Sequence, residues 1–101
     1  MPLLNRAVEL KPEIAAWRHE LHQNPELLYE TLWTSAFVAD KLKSFGCDEV
    51  VTGIGRTGVV GIIRGRHGGD RTIGLRADMD ALPMTEVTGL DYASRTPGRM
   101  H

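Results

Sequence analysis

The sequence predicts an α/β fold in which two N-terminal helices are followed by a three-stranded β-meander. Three observations carry this prediction. Apolar residues recur at helical spacing as far as Phe45. From Glu49 the pattern changes to short extended runs bounded by glycine. The links between those runs are far shorter than the dozen or so residues that a βαβ crossover needs, so neighbouring strands are expected to be antiparallel hairpin partners.

The stretch from Leu3 to Leu10 is compatible with one or two helical turns, and Lys11-Pro12-Glu13 reads as a helix start. Proline suits the first helical position, where its missing N–H has no partner to lose, and Glu13 suits the positive end of the helix dipole. Ile14, Trp17 and Leu21 then form one apolar stripe, and Asn24-Pro25 ends the helix, because a residue before proline disfavours the α region. A second helix is expected from about Glu30 to Phe45. Val38, Leu42 and Phe45 share its apolar face, Trp33 and Phe37 widen it, and Asp40, Lys41 and Lys43 lie opposite. Gly46 fits the left-handed residue that follows a helix end.

Glu49–Thr52 is the first predicted strand. Gly53-Ile54-Gly55-Arg56-Thr57-Gly58 is a glycine-rich turn. Val59–Arg64 is the second strand, apolar enough to be covered on both faces. Arg66–Asp70 is a tight turn with two permissive glycines, and Thr72–Ala77 is the third strand. Periodicity then disappears from Pro83 to His101. A three-stranded sheet with two helices leaves open edges and faces, so residues 1–101 read as an incomplete part of a domain.

At 101 residues the chain is one small domain at most, and its 42% hydrophobic and 25% charged composition is ordinary for a globular protein. Twelve basic against thirteen acidic residues leave a net charge of −1, which gives no reason to expect nucleic acid or an anionic membrane as partner. The single cysteine, Cys47, excludes an intrachain disulfide framework and fits a reducing, cytoplasmic setting. The opening Met1-Pro2-Leu3-Leu4-Asn5-Arg6 lacks the pattern of a signal peptide, and no apolar run approaches the roughly 20 residues that span a bilayer.

Asp78 and Asp80 are the leading candidates for chemistry. In an extended chain, residues i and i+2 point to one side, roughly 7 Å apart. Two carboxylates at a strand end can thus share a cleft, where they bind a cation, orient a histidine ligand or act as acid and base. The plain alternative is a pair of turn residues closing the strand before Leu82-Pro83. His19 and His22 stand at i, i+3 on the first helix, but His19-Glu20-Leu21-His22 falls one residue short of the HExxH metal motif, so a structural or surface role competes. His67 sits in a glycine turn and is expected to be solvated. Cys47 follows a helix end, where nothing lowers a thiol pKa, and reads as a small hydrophobe. The Gly-x-Gly-x-x-Gly pattern of residues 53–58 lies between strands rather than opening a helix, which argues against nucleotide binding. Arg56 within it is a candidate contact for a ligand carboxylate. No three residues show convincing metal-ligand spacing.

Four blocks, in order along nearly the whole chain, resemble one family. They are Trp17-Arg18-His19-Glu20-Leu21-His22-Gln23-Asn24-Pro25-Glu26-Leu27 with Glu30-Thr31; Gly53–Gly61; Gly74-Leu75-Arg76-Ala77-Asp78-Met79-Asp80-Ala81-Leu82-Pro83 with Glu86 and Tyr92-Ala93-Ser94; and Pro97-Gly98-Arg99-Met100-His101. The family is the hippurate hydrolase-like, metal-dependent amidohydrolases of the aminoacylase and carboxypeptidase superfamily. The resemblance implies a zinc-peptidase-like α/β catalytic domain of which this chain is the N-terminal part. It implies hydrolysis of the amide bond of N-acyl amino acids by a metal-activated water, with a divalent metal (Zn, Mn, Co or Ni) in a longer, homo-oligomeric parent. In that family the metal ligands follow a Met-His pair, so none is assigned to a residue present here and no tightly bound metal is expected. Asp78 and Asp80 carry over as carboxylates beside the metal site, orienting rather than ligating. Two other readings remain: a non-catalytic α/β interaction module, and a small metal-binding protein using Asp78, Asp80 and His101.

Overall fold

The computed structural model describes residues 4–101, and the chain divides into two compact units. One gathers the residues up to Pro25 with Ala81–His101, and the other is Glu26–Asp80. The element order is α1 (Asn5–Gln23), α2 (Leu32–Ser44), β1 (Glu49–Ile54) and β2 (Gly58–Ile62).

In the first unit, α1 is one helix of 19 residues, with Pro12 inside it rather than at its start. The two helical readings of the N-terminal stretch merge; Leu3, where the first of them begins, lies outside the described residues. Pro12 has no N–H to offer the Val8 carbonyl, the bond that a proline inside a helix forgoes. No residue of α1 is fully buried. The helix ends as the sequence predicts: the Asn24 N–H reaches the Leu21 carbonyl at 3.1 Å, and Asn24 Nδ2 donates to the Glu20 carbonyl at 2.9 Å, just before Pro25. The 82–101 loop is closed by an isolated antiparallel bridge between Leu82 and Met100, with N–H to carbonyl distances of 2.8 and 3.1 Å.

The second unit is organised by α2. Thr31 stands at the helix N-cap without a side-chain cap bond. The Glu26 carboxylate caps instead: it accepts from the backbone N–H groups of Trp33 (3.2 Å) and Thr34 (2.6 Å) and from the Thr34 hydroxyl (2.7 Å). These are donors that a helix start leaves without intrahelical partners, and the negative charge also suits the dipole. The freed Thr31 hydroxyl bonds that of Thr57 at 2.7 Å, and both residues are buried. At the other end the Cys47 N–H bonds the Leu42 carbonyl and the Gly46 N–H bonds that of Lys43, the paired pattern of a Schellman cap. Gly46 has φ +83°, the left-handed residue that the sequence predicts. Cys47 Sγ and Leu42 would lie 3.2 Å from any Cβ at Gly61, so glycine lets the helix end close down on β2.

β1 and β2 pair antiparallel, with Val51 opposite Val60 and a bulge between Val51 and Ile54. A Cβ on Gly58 would collide with the Ile54 carbonyl oxygen, so the turn requires glycine there.

The sheet has two strands, which corrects the predicted three-stranded meander. Thr72–Ala77 joins no ladder, and among the described residues no backbone N–H of 71–81 has a backbone partner. Ile73 and Leu75, 89% and 98% exposed, find no apolar cover. Alternating side chains suit the residues to a strand, but a strand forms only against a neighbour. Nor is β2 covered on both faces as predicted, since Val60 is 42% exposed. Phe45, expected on the inner face of α2, is 56% exposed, while Thr34 and Ala39 are its buried residues.

Replacing Glu26 with alanine leaves the Trp33 and Thr34 donors without their carboxylate. It is expected to cost about 1–2 kcal/mol, read as a lower urea midpoint by far-ultraviolet circular dichroism. An unchanged midpoint would show that the cap does not hold α2.

Candidate functional site

Asp78 and Asp80 are exposed and lie in a stretch outside any helix or strand. Asp78 Oδ1 accepts from Arg76 Nη2 at 2.9 Å, an ion pair whose side chains are 72% and 88% exposed. Such a pair contributes little in water.

A second carboxylate, which the sequence places only by resemblance, is far more constrained. Glu86 Oε1 lies 2.7 Å from His22 Nε2, and the two side chains are 4% and 12% exposed. The same oxygen accepts from the Ser94 N–H at 2.9 Å, and Oε2 accepts from the Thr88 hydroxyl. The Glu86 carboxyl is held below its ordinary value of 4.5, first by the Thr88 hydroxyl and then by the Ser94 amide. Burial works the other way, and the bond and charge of His22 lower the value further. Each donor favours the ionised carboxylate. No local spacing betrays this hub, because His22 and Glu86 are 64 residues apart.

The other α1 histidine is recruited too. His19 stacks flat on Tyr92, with ring centroids 3.7 Å apart, and His22 meets the same ring edge-on at 5.8 Å. The Arg18 guanidinium lies 5.3 Å from the Tyr92 centroid. His22 and His101 have ring centroids 6.5 Å apart. Beside the stack is an open groove of about 740 Å³, bordered by His19, Glu20, Gln23, Asp91, Tyr92 and Arg95. Both α1 histidines thus contact the 82–101 loop, His19 through Tyr92 and His22 through Tyr92 and Glu86.

Elsewhere, Arg56 has a φ of +85°, uncommon for a non-glycine residue, and its guanidinium sits 5.3 Å from the Tyr29 ring centroid. The turn that carries it joins two strands and opens no helix. His67 is exposed in a turn. Among the described residues no group of three or more His, Cys, Asp or Glu could hold a metal ion. The residues described here therefore do not fit a metal centre by themselves. Nor, among them, is any helix long and apolar enough to cross a membrane.

No protein-family model matches the chain. It is 48% identical over 101 residues to the hippurate hydrolase of Campylobacter jejuni, covering 100% of this chain and 26% of that protein. It is 43% identical over 89 residues to an N-acetyldiaminopimelate deacetylase of Listeria monocytogenes, covering 88% of this chain and 24% of that one. It is 44% identical over 100 residues to thermostable carboxypeptidase 2 of Saccharolobus solfataricus, covering 98% and 25%. Among solved structures, the Bacillus subtilis YXEP protein, a dinuclear metal-binding peptidase from the M20 family, matches with a TM-score of 0.84 at 32% identity, over 97% of this chain and 26% of that one. The backbone path is an α/β fold that matches part of that M20-family peptidase. The chain is thus similar, over nearly its whole length, to hippurate hydrolase, deacetylase and carboxypeptidase sequences, and it spans about a quarter of the length of the curated relatives it matches.

The lowered Glu86 value fixes a pH dependence. Stability contributed by the ionised carboxylate is whole above about 4.5 and is lost as pH falls through the lower folded value, because the unfolded chain takes up the proton first. Urea midpoints measured from about pH 6 to about pH 3 are expected to fall more steeply for the wild type than for Glu86→Gln. Parallel curves would contradict the assignment.

Proposed function

We propose that this chain forms part of the catalytic domain of a metal-dependent amidohydrolase that cleaves the amide bond of N-acyl amino acids, hippurate-like compounds among them, and that the 101 residues alone are inactive. The observation that carries the reading is the match to hippurate hydrolase, 48% identical with every residue of the chain covered. The likeness to a dinuclear metal-binding peptidase at a TM-score of 0.84 supports a divalent metal in the larger protein. Ligands for it would have to come from outside the residues described here. In this reading the substrate is a small molecule, and the larger protein is cytoplasmic and homo-oligomeric.

Within it, Asp78 and Asp80 orient groups beside the metal rather than bind it. Such outer carboxylates fix the direction and basicity of a ligand, and their loss commonly costs about 10–100-fold in affinity or activity. The exposure of Asp78, 72% by side chain, leaves its carboxylate open to such a partner.

The test exchanges the matched quarter of the Campylobacter jejuni hippurate hydrolase for this chain. With Mn²⁺ or Zn²⁺ supplied, the chimera is expected to hydrolyse hippurate, and the isolated chain is not. Asp78→Asn in the chimera is expected to lower kcat by about 10–100-fold. Turnover by the isolated chain at an ordinary enzymatic rate, on the order of 1–10³ s⁻¹, would overturn the reading. So would a chimera that folds, binds metal and does not hydrolyse hippurate.

A further inference from the structure

The loop from Leu82 to Met100 contains no helix and no strand beyond the bridge at its ends. A loop of that length without its own secondary structure usually serves function, and its backbone needs fixing by other means. Only three short-range backbone bonds lie inside it besides the bridge: Met84 to Leu82, Ala93 to Leu90 and Arg99 to Thr96. None of them joins the first half to the second. Glu86 does. It bonds Thr88 on its own side, Ser94 across the loop and His22 on α1. The Arg95 N–H, next along the chain, bonds the Gln23 carbonyl at 3.0 Å, next to His22. The loop is thus stitched to the last turn of α1 at two adjacent points, and Tyr92 of the loop also stacks on His19.

The contrast with the other ion pairs is sharp. Arg6–Glu9, Arg64–Glu49 and Arg76–Asp78 all have side chains at least 50% exposed. The side chains of His22–Glu86, at 12% and 4%, are far less exposed. A buried carboxylate is costly unless donors surround it, and once they do, removing one partner leaves an uncompensated group. Such a hub tolerates one loop geometry and disfavours the others.

We propose that Glu86 and His22 are positioning residues. Together they set the path of the 82–100 loop and the register of the Leu82–Met100 bridge. The catalytic consequence rests on the proposed function; the structural one does not. Neither residue touches substrate. Each acts through the loop, so its loss lowers turnover while leaving substrate binding nearly intact.

Two measurements separate these levels. In the isolated chain, amide exchange at Leu82 and Met100 is expected to speed up by about tenfold or more in Glu86→Ala and in His22→Ala, with the exchange of β1 and β2 unchanged. Unaltered exchange at the bridge overturns the inference. In the active chimera, each single variant is expected to lower kcat by about tenfold or more with KM within about threefold. The double variant should be no worse than either single one, because both remove the same contact. Additive losses, a rise in KM alone, or an unchanged kcat overturn it. Glu86→Asp, which keeps the charge but shortens the arm, is expected to recover part of kcat, and Glu86→Gln less. A wild-type chimera without activity sinks the proposed function instead, and the exchange data alone then decide the role of the hub.

Discussion

Where side chains such as Leu75 and Ile73 stand 98% and 89% exposed, the position of each segment has to be fixed by something other than burial. Here that role falls to a few oxygens. Glu26 holds the start of α2, the Thr31–Thr57 hydroxyl pair ties the entry of that helix to the hairpin turn, and Glu86 ties the long loop to α1. Each is a hydrogen-bonded group that is costly to strand, and each gives directional information that apolar contact does not. Among the described residues the buried apolar ones are Ala39, Ala81 and Pro25, all too small to build a core.

The relatives it matches are about four times as long, and the Bacillus subtilis structure contains the same backbone path within a chain of that size. The run from Thr72 to Ala77 alternates correctly for a strand but finds no ladder among the described residues. The sequence periodicity reports what side chains are suited to; pairing depends on a neighbour, and the neighbour is a property of the whole sheet. The exposure of Val60 and Phe45 has the same origin.

Local chemistry was legible and long-range chemistry was not. The end of α1 at Asn24-Pro25, the left-handed Gly46, the glycine turn and the β1–β2 hairpin are each written in a few adjacent residues. Pro12 misled in a specific way: its preference for a first turn is real, but the residues before it are good enough helix formers to carry the helix through. The roles of His19 and His22 could not be chosen from their spacing, because Tyr92 and Glu86, which decide them, come from the far end of the chain. The Asp78–Asp80 pair was visible as an unusual pattern; both residues are exposed, and Asp78 pairs with Arg76.

The central claim is that polar contacts set the register of this chain while its apolar surface stays in water. The most direct measure is the heat-capacity increment on unfolding, since it scales with apolar area newly exposed to water. Finished globular domains show about 12–15 cal/mol/K per residue. For the isolated chain, calorimetry is predicted to give well under half of that. The full globular value would contradict the account, because it would mean that the chain buries an ordinary core.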